Sequence, residues 1–360
     1  MKNFTSGAVR SLAFLGVVTF LMLAIALVPG VFYSGAENEA ASPPVEAINN
    51  TARGFPNFDI RTEKGDGAED RLASFRSAVG KDSSFVAAIR NDLARGEESL
   101  RSRQPDVVLE HNDRLGSAEV ISPDVWKDGS ELLTPPSNEA RPQSLRNFLK
   151  QNAGLVGLDH SQTDSLKVAA DYTNPDGNLS FTHLEQQVNG VPVFAGEVKA
   201  GFNKNGQIVR VVNNLAPALD YTSLSKNFGN PADAVRAAAG YIDHELAESD
   251  LQTNAKSSSN LKVVFGQGDW ATTAEKMYFP TEPGVAVPSW RVLIWEPVDA
   301  YYVIVDAATG TMLWRKNITN DQTQTATYNV YRNRFPILMW PTVRPRARPG
   351  RRALTERRPR

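Results

Sequence analysis

The chain has 360 residues, 41% of them hydrophobic, which is enough for two or three domains with real cores. It contains no cysteine, and this excludes a disulfide framework, a thiolate zinc site and a cysteine nucleophile. The formal net charge of -1 hides an asymmetry: residues 334–360 hold nine Arg and one Glu, leaving 30 basic and 39 acidic side chains in an acidic body.

Residues 1–36 read as an export segment. Lys2 and Arg10 precede an almost wholly apolar run over 12–28, and Ser34, Gly35 and Ala36 are small residues suited to cleavage. The run is long for a signal peptide and short for a span, so a cleaved signal and a retained membrane anchor are both open. Either one puts the body outside the cytoplasm. Residues 37–104 read as a linker followed by amphipathic helices. Composition through residue 68 is poor in apolar side chains, and then Leu72, Phe75, Val79, Phe85, Ile89 and Leu93 recur at helical steps, broken at Gly80 and Asp82.

Residues 105–219 form the first expected unit. Short strands are expected at 107–110 and 118–121. A helix follows over 142–153, with Leu145, Phe148 and Leu149 on one face and Gly154 as its stop. A three-stranded meander then spans 181–212, its turns marked by Asn189-Gly190 and Asn205-Gly206. Residues 220–318 form the second unit. Asn230 and Pro231 start a helix whose buried stripe is Val235, Ala238, Ile242 and Leu246. Strands are expected at 261–265, 276–279, 289–295, 300–306 and 311–315. The fold class is therefore α+β: two tandem units, each a helix packed on a twisted antiparallel sheet. Residues 319–360 read as an Arg/Pro-rich tail too poor in apolar residues to order itself.

Candidate chemistry is sparse. His244 and Glu248 have the spacing of two metal ligands on a helix, but Glu248 stands where the second of the two required histidines would be, and no third ligand is near in sequence. His183 lies on the first meander strand, where alternation puts Phe181, His183, Glu185 and Gln187 on one face and Thr182, Leu184, Gln186 and Val188 on the other. A hydrogen-bonding cluster of Phe181, His183 and Gln187 is expected there, in a structural role. There is no Gly-x-Ser-x-Gly elbow and no phosphate-binding glycine loop. Trp290, Trp295, Tyr301, Tyr302 and Trp314 alternate with apolar partners and read as core or interface residues rather than a sugar or nucleic-acid platform. No catalytic, metal or cofactor-binding residue is assigned, and no nucleic-acid partner is expected.

The run from Thr182 to Gly196 resembles the signature of the fungalysin/thermolysin propeptide (FTP) domain, carried by His183, Gln187, Asn189, Gly190, Val191, Val193 and Phe194, with Gly206 at the next turn. The second unit resembles a PepSY domain of cystatin-like fold, through Trp290, Tyr302, Asp306 and Gly310. The resemblance implies the prosegment of a secreted zinc metallopeptidase of the fungalysin type. Such a prosegment is non-catalytic, assists folding and inhibits the peptidase. Its implied partner is the catalytic domain of such a peptidase, with membrane contact only if the N-terminal segment is retained. The His-Glu-x-x-His helix of that family is absent from this sequence. The tail from about residue 334 has the composition expected of out-of-frame translation, which would make the chain a truncated precursor. Two other classes remain open from sequence: an active zinc metallopeptidase using His244 and Glu248, and a free-standing envelope protein-binding or inhibitor module.

Overall fold

The computed structural model describes residues 54–64, 67–297 and 299–319, and beyond them the backbone of one short strand pair, Tyr328–Asn329 with Arg344–Pro345. The expected export segment and the rest of the tail lie outside the described residues. Among the described residues, no helix is long and apolar enough to cross a membrane.

The first unit is built on strands β2 (Val107–His111), β3 (Ala118–Pro123), β4 (Lys167–Thr173), β5 (Leu179–Val188), β6 (Val191–Asn203) and β7 (Ile208–Asn213). They pair antiparallel in the order β4-β5-β6-β7-β3-β2. One face is covered by helix α3 (Arg141–Gln151) and the short helix α4 (Ala153–Val156). Leu145, Phe148 and Leu149 of α3 meet Leu184, Val198, Phe202 and Val211 of the sheet, all at most 2% exposed. Helix α5 (His160–Ser165) went unforeseen, although Asp159 and Gln162 form a reciprocal capping box at its start. Gly154 stops neither helix: α3 ends at Gln151 with Asn152 as its C-cap, and Gly157, in the left-handed region, ends α4, while Gly154 serves helix packing.

The second unit has β8 (Lys262–Phe265), β9 (Thr272–Glu282), β10 (Val285–Trp295), β11 (Ala300–Asp306) and β12 (Met312–Asn317), preceded by helix α6 (Pro231–Gly240). Pro280 and Pro288 sit inside β9 and β10 and pair there, which is why these strands run longer than breaker residues suggested. Asn230 caps α6 through Ala232 N–H. Val235, Ala238 and Ile242 pack on Trp290, Val292 and Val303. The helix ends at Gly240 rather than carrying on to Leu246. Asp243 takes a positive φ of 51°, and the His244 N–H returns to the Ala239 carbonyl.

The two sheets join into one of twelve strands through a parallel contact of β6 with β9, Val193 opposite Tyr278. The segment read as linker up to residue 68 is not one throughout. Phe58–Asp59 forms strand β1 on the edge of β12, and Ile60 is fully buried. The two amphipathic helices exist as expected, α1 (Ala68–Ala78) and α2 (Ser83–Arg103), with Asp82 capping α2 through Phe85 N–H. They clamp both units. Phe75 of α1 packs on Met277, Phe279 and Val287 of the second sheet. The 21-residue α2, about 31 Å long, has Phe85 and Ile89 over the β9–β10 turn at Gly284 and Leu100 in the first unit's core. Near its C-terminal end, Gly96 touches Gly154 so closely that a Cβ there would lie 2.3 Å from the Gly154 backbone.

One charge on α1 is buried. Arg76 of α1 donates to Glu282 of β9 at 2.8 Å, both side chains being 8% exposed, and also to Glu69 at 2.7 Å. Arg90 of α2 approaches the same Glu282 at 3.9 Å. Removing one partner of a buried pair strands the other charge. Glu282→Gln is therefore expected to destabilise the chain by about 3–5 kcal/mol in urea unfolding, and the double replacement Arg76→Met with Glu282→Leu to recover most of that loss. A loss below about 1 kcal/mol for Glu282→Gln would place the pair in effective solvent contact.

Candidate functional site

The stretch that carries the propeptide resemblance is the β5–β6 hairpin. Its turn is the expected two-residue one: Asn189 and Gly190 both have positive φ, 52° and 80°, as a type I′ turn requires. The second Asn-Gly behaves differently. Only Gly206 is left-handed (φ 72°), closing a longer loop in which Gly206 N–H reaches the Asn203 carbonyl. The Asn205 carbonyl is taken by Ser137 N–H from a neighbouring segment.

The faces of β5 alternate as expected: Thr182, Leu184, Gln186 and Val188 are buried, and Phe181, His183, Glu185 and Gln187 are half-buried. The expected cluster of Phe181, His183 and Gln187 does not form. Phe181 stacks on Tyr172 of β4 at 5.3 Å. His183 Nε2 lies 2.9 Å from Glu197 Oε2 as an ion-pair contact without hydrogen-bond geometry. Glu197 also holds Lys199 at 2.5 Å.

The glutamine that matters is Gln186, 1% exposed. Its Oε1 accepts from Ala216 N–H at 2.8 Å, and its Nε2 donates to the Ala216 carbonyl at 3.0 Å and to the Tyr221 hydroxyl at 2.9 Å. The side chain thus replaces a strand neighbour for the segment leaving β7. Burial pushes the Tyr221 phenol above its usual range, with the Gln186 bond opposing this. Simple alternation places Gln186 on the buried face of β5, whereas the motif position Gln187 falls on the half-buried face.

Opposite Gln186 the hairpin breaks register. Glu185 pairs with Glu197 and Gln187 with Pro192, so one residue of β5 faces four of β6, 193–196. Ala195 sits at φ 53°, and a Cβ on Gly196 would meet Val193 and Gln186 at about 3 Å. The excursion carries the signature's apolar residues out of the first sheet. Val191 packs against the second unit's core. Val193 is buried there and bridges to Tyr278. Phe194 stacks on Phe279 at 5.1 Å and meets Trp314 at 5.1 Å.

Above the excursion lies a half-open cleft of about 460 Å³ between the sheets, walled by Glu185 and Glu197 on one side and by Lys262, Glu275, Lys276 and Arg291 on the other. Burial pushes the Glu275 carboxyl up, but hydrogen bonds and charge from Arg291 and Lys262 outweigh it and hold the group below its usual range. A depressed carboxylate contributes stability above its unfolded pKa and loses it as pH falls through the folded value. Glu275→Gln is thus expected to flatten the acid limb of the stability profile below about pH 4.5 and to leave the slope between pH 6 and 8 unchanged. Stability measured against pH by thermal unfolding checks this, and an unaltered acid limb would contradict it.

The residues of the PepSY resemblance are structural in position. Trp290 is 1% exposed and donates to the Phe228 carbonyl at 2.6 Å. Tyr302 lies under the Arg291 guanidinium at 5.0 Å. Asp306 accepts from the backbone and hydroxyl of Thr309, and Gly310, at φ 71°, completes that turn against Ala237. His244 and Glu248 are not brought together on a helix face. His244 Nδ1 engages Glu296, whereas Glu248 begins a 3-10 turn and pairs with Arg236 at 3.1 Å. Among the described residues, no three His, Cys, Asp or Glu side chains are grouped to hold a metal ion. Of the expected interface aromatics, Trp290 and Tyr301 are core, while Trp295 contacts the exposed Trp270 edge-to-face at 4.8 Å.

Residues 164–215 match the family described as the Fungalysin/Thermolysin Propeptide Motif. The matched stretch runs from the end of α5 through the whole meander and includes the excursion. Among solved structures, the Bacillus megaterium YpeB C-terminal domain is similar at 13% sequence identity, covering 63% of this chain and 97% of that chain with a TM-score of 0.24. No curated protein matches.

The two glutamines separate cleanly by substitution. Gln186→Leu leaves Ala216 and Tyr221 polar groups without partners and is expected to cost about 2–3 kcal/mol in urea unfolding. Gln187→Leu is expected to stay within about 0.5 kcal/mol. Equal costs would contradict the assignment.

Proposed function

We propose that the body of this chain is a non-catalytic propeptide of a fungalysin-type secreted metallopeptidase, acting as folding assistant and inhibitor of the catalytic domain. The observation that carries the reading is the propeptide motif over residues 164–215. The second unit would be the PepSY-like half of the same prosegment, and the protein would work outside the cytoplasm. The geometry supports a surface-based role. Polar side chains of the hairpin are turned to internal contacts: Gln186 to Ala216 and Tyr221, and His183 to Glu197. The apolar ones join two sheets into a broad body. Such a body stabilises a native peptidase by mass action, because it binds the folded and not the unfolded form. Joined to that peptidase in one chain it would act at high effective concentration.

The zinc-peptidase alternative loses support from His244 and Glu248, which serve different partners. The test is inhibition in trans. The purified chain, titrated into a mature fungalysin-type metallopeptidase, is expected to inhibit hydrolysis of a peptide substrate with a Kd of about 1 μM or tighter and to raise the yield of that peptidase on dilution from denaturant. Absence of both effects across a panel of such peptidases would overturn the proposal. Zinc-dependent proteolysis by the chain alone would do so as well.

A further inference from the structure

We infer that residues 54–61 form a latch that closes over Phe194, so that the N-terminal segment and the junction between the two sheets open together. This goes beyond the propeptide reading and does not depend on it. The segment runs along β12. Phe55 N–H donates to the Tyr301 hydroxyl at 3.0 Å, Arg315 Nε donates to the Pro56 carbonyl at 3.0 Å, and Ile60 N–H donates to the Leu313 carbonyl at 3.0 Å. Phe58 and Asp59 pair with Arg315 and Trp314. Phe194 comes from the other unit and enters the same small cluster, which Ile60, Phe75, Phe279, Ile304 and Leu313 complete.

The closing piece is Arg61. Asp59 grips it in a fork, accepting from Nε at 2.9 Å and Nη2 at 2.8 Å, and both side chains are nearly buried, at 12% and 4% exposure. Held so, the guanidinium lies 4.7 Å from the Phe279 ring centre and 5.5 Å from that of Phe194. A desolvated cation over aromatic faces is a strong form of that contact. Asp59 also reaches Arg114, on the β2–β3 connection of the first unit, at 3.4 Å. One carboxylate thus ties the N-terminal segment to both units. Each part covers the other: without Phe194 the guanidinium loses a ring beneath it, and without the Asp59 fork the rings lose their cover.

Amide hydrogen exchange on the full chain tests this, comparing the wild type with Asp59→Asn, Phe194→Ala and the double variant. Either single substitution is expected to speed exchange of both the Ile60 amide and the 193–196 segment by about tenfold or more, while Leu184 and Phe202 in the first unit's core stay protected. The double variant is expected to add little beyond the larger single effect, because both changes remove the same contact, that of the Asp59-held Arg61 with Phe194. Should Phe194→Ala fail to fold, Phe194→Leu replaces it with the same expectation at smaller amplitude. Fast exchange confined to residues 54–61 in Asp59→Asn, with residues 193–196 unaffected, would overturn the latch. Fully additive effects in the double variant would overturn it equally.

Discussion

The register break in the β5–β6 hairpin is the constraint on which the rest of the structure depends. Side chains alternate along a strand, so an odd shift in pairing sends every residue to the opposite face. If β6 continued in the register set by the Asn189-Gly190 turn, Val198, Ala200 and Phe202 would face solvent. All three are at most 2% exposed, and the core of the first unit is built on them. The turn dictates one register near its tip and the core dictates another beyond it. The extra residues of β6 must leave the ladder between the two, as a bulge absorbs a mismatch. Gln186 occupies the vacated place and pairs with the Ala216 backbone that would otherwise be orphaned.

What leaves the ladder becomes the joint. Val193 and Phe194 are apolar and cannot stay in water cheaply, and the second sheet supplies Tyr278, Phe279 and Trp314 to receive them. The N-terminal segment and α1 then cover the receiving face, and α2 reaches across to the first unit. Buried charges mark both seams. Arg76 with Glu282 lies under the helices, and Asp59 with Arg61 lies beside Phe194. Unpaired, either charge would oppose folding, so the pairs also specify which segment lies where.

Much of this was legible in the sequence. Both amphipathic helices, the meander, the Asn189-Gly190 turn and the Asn230 cap followed from local patterns that long-range contacts did not override. The misses share a cause. Residues 54–60 look like a linker because a two-residue strand has no periodicity, and only the distant β12 makes Ile60 a core residue. The α6 helix appeared to run to Leu246 because Ile242 and Leu246 keep helical spacing, yet the chain turns at Asp243. The burial of Arg76 has no local signal, because its partner, Glu282, is 206 positions away. In the site, the stretch carrying the propeptide motif was legible, but its physical role was not: that Phe194 leaves its own sheet depends on a register conflict between a turn and a core, which no single window displays.

The excursion of β6 joins the two units into one cooperative body. Differential scanning calorimetry of the wild-type chain tests this most directly. A single transition with a ratio of calorimetric to van't Hoff enthalpy of about one is the predicted result. Two resolved transitions, each with the enthalpy of roughly half the body, would show that the sheets unfold independently and would contradict it.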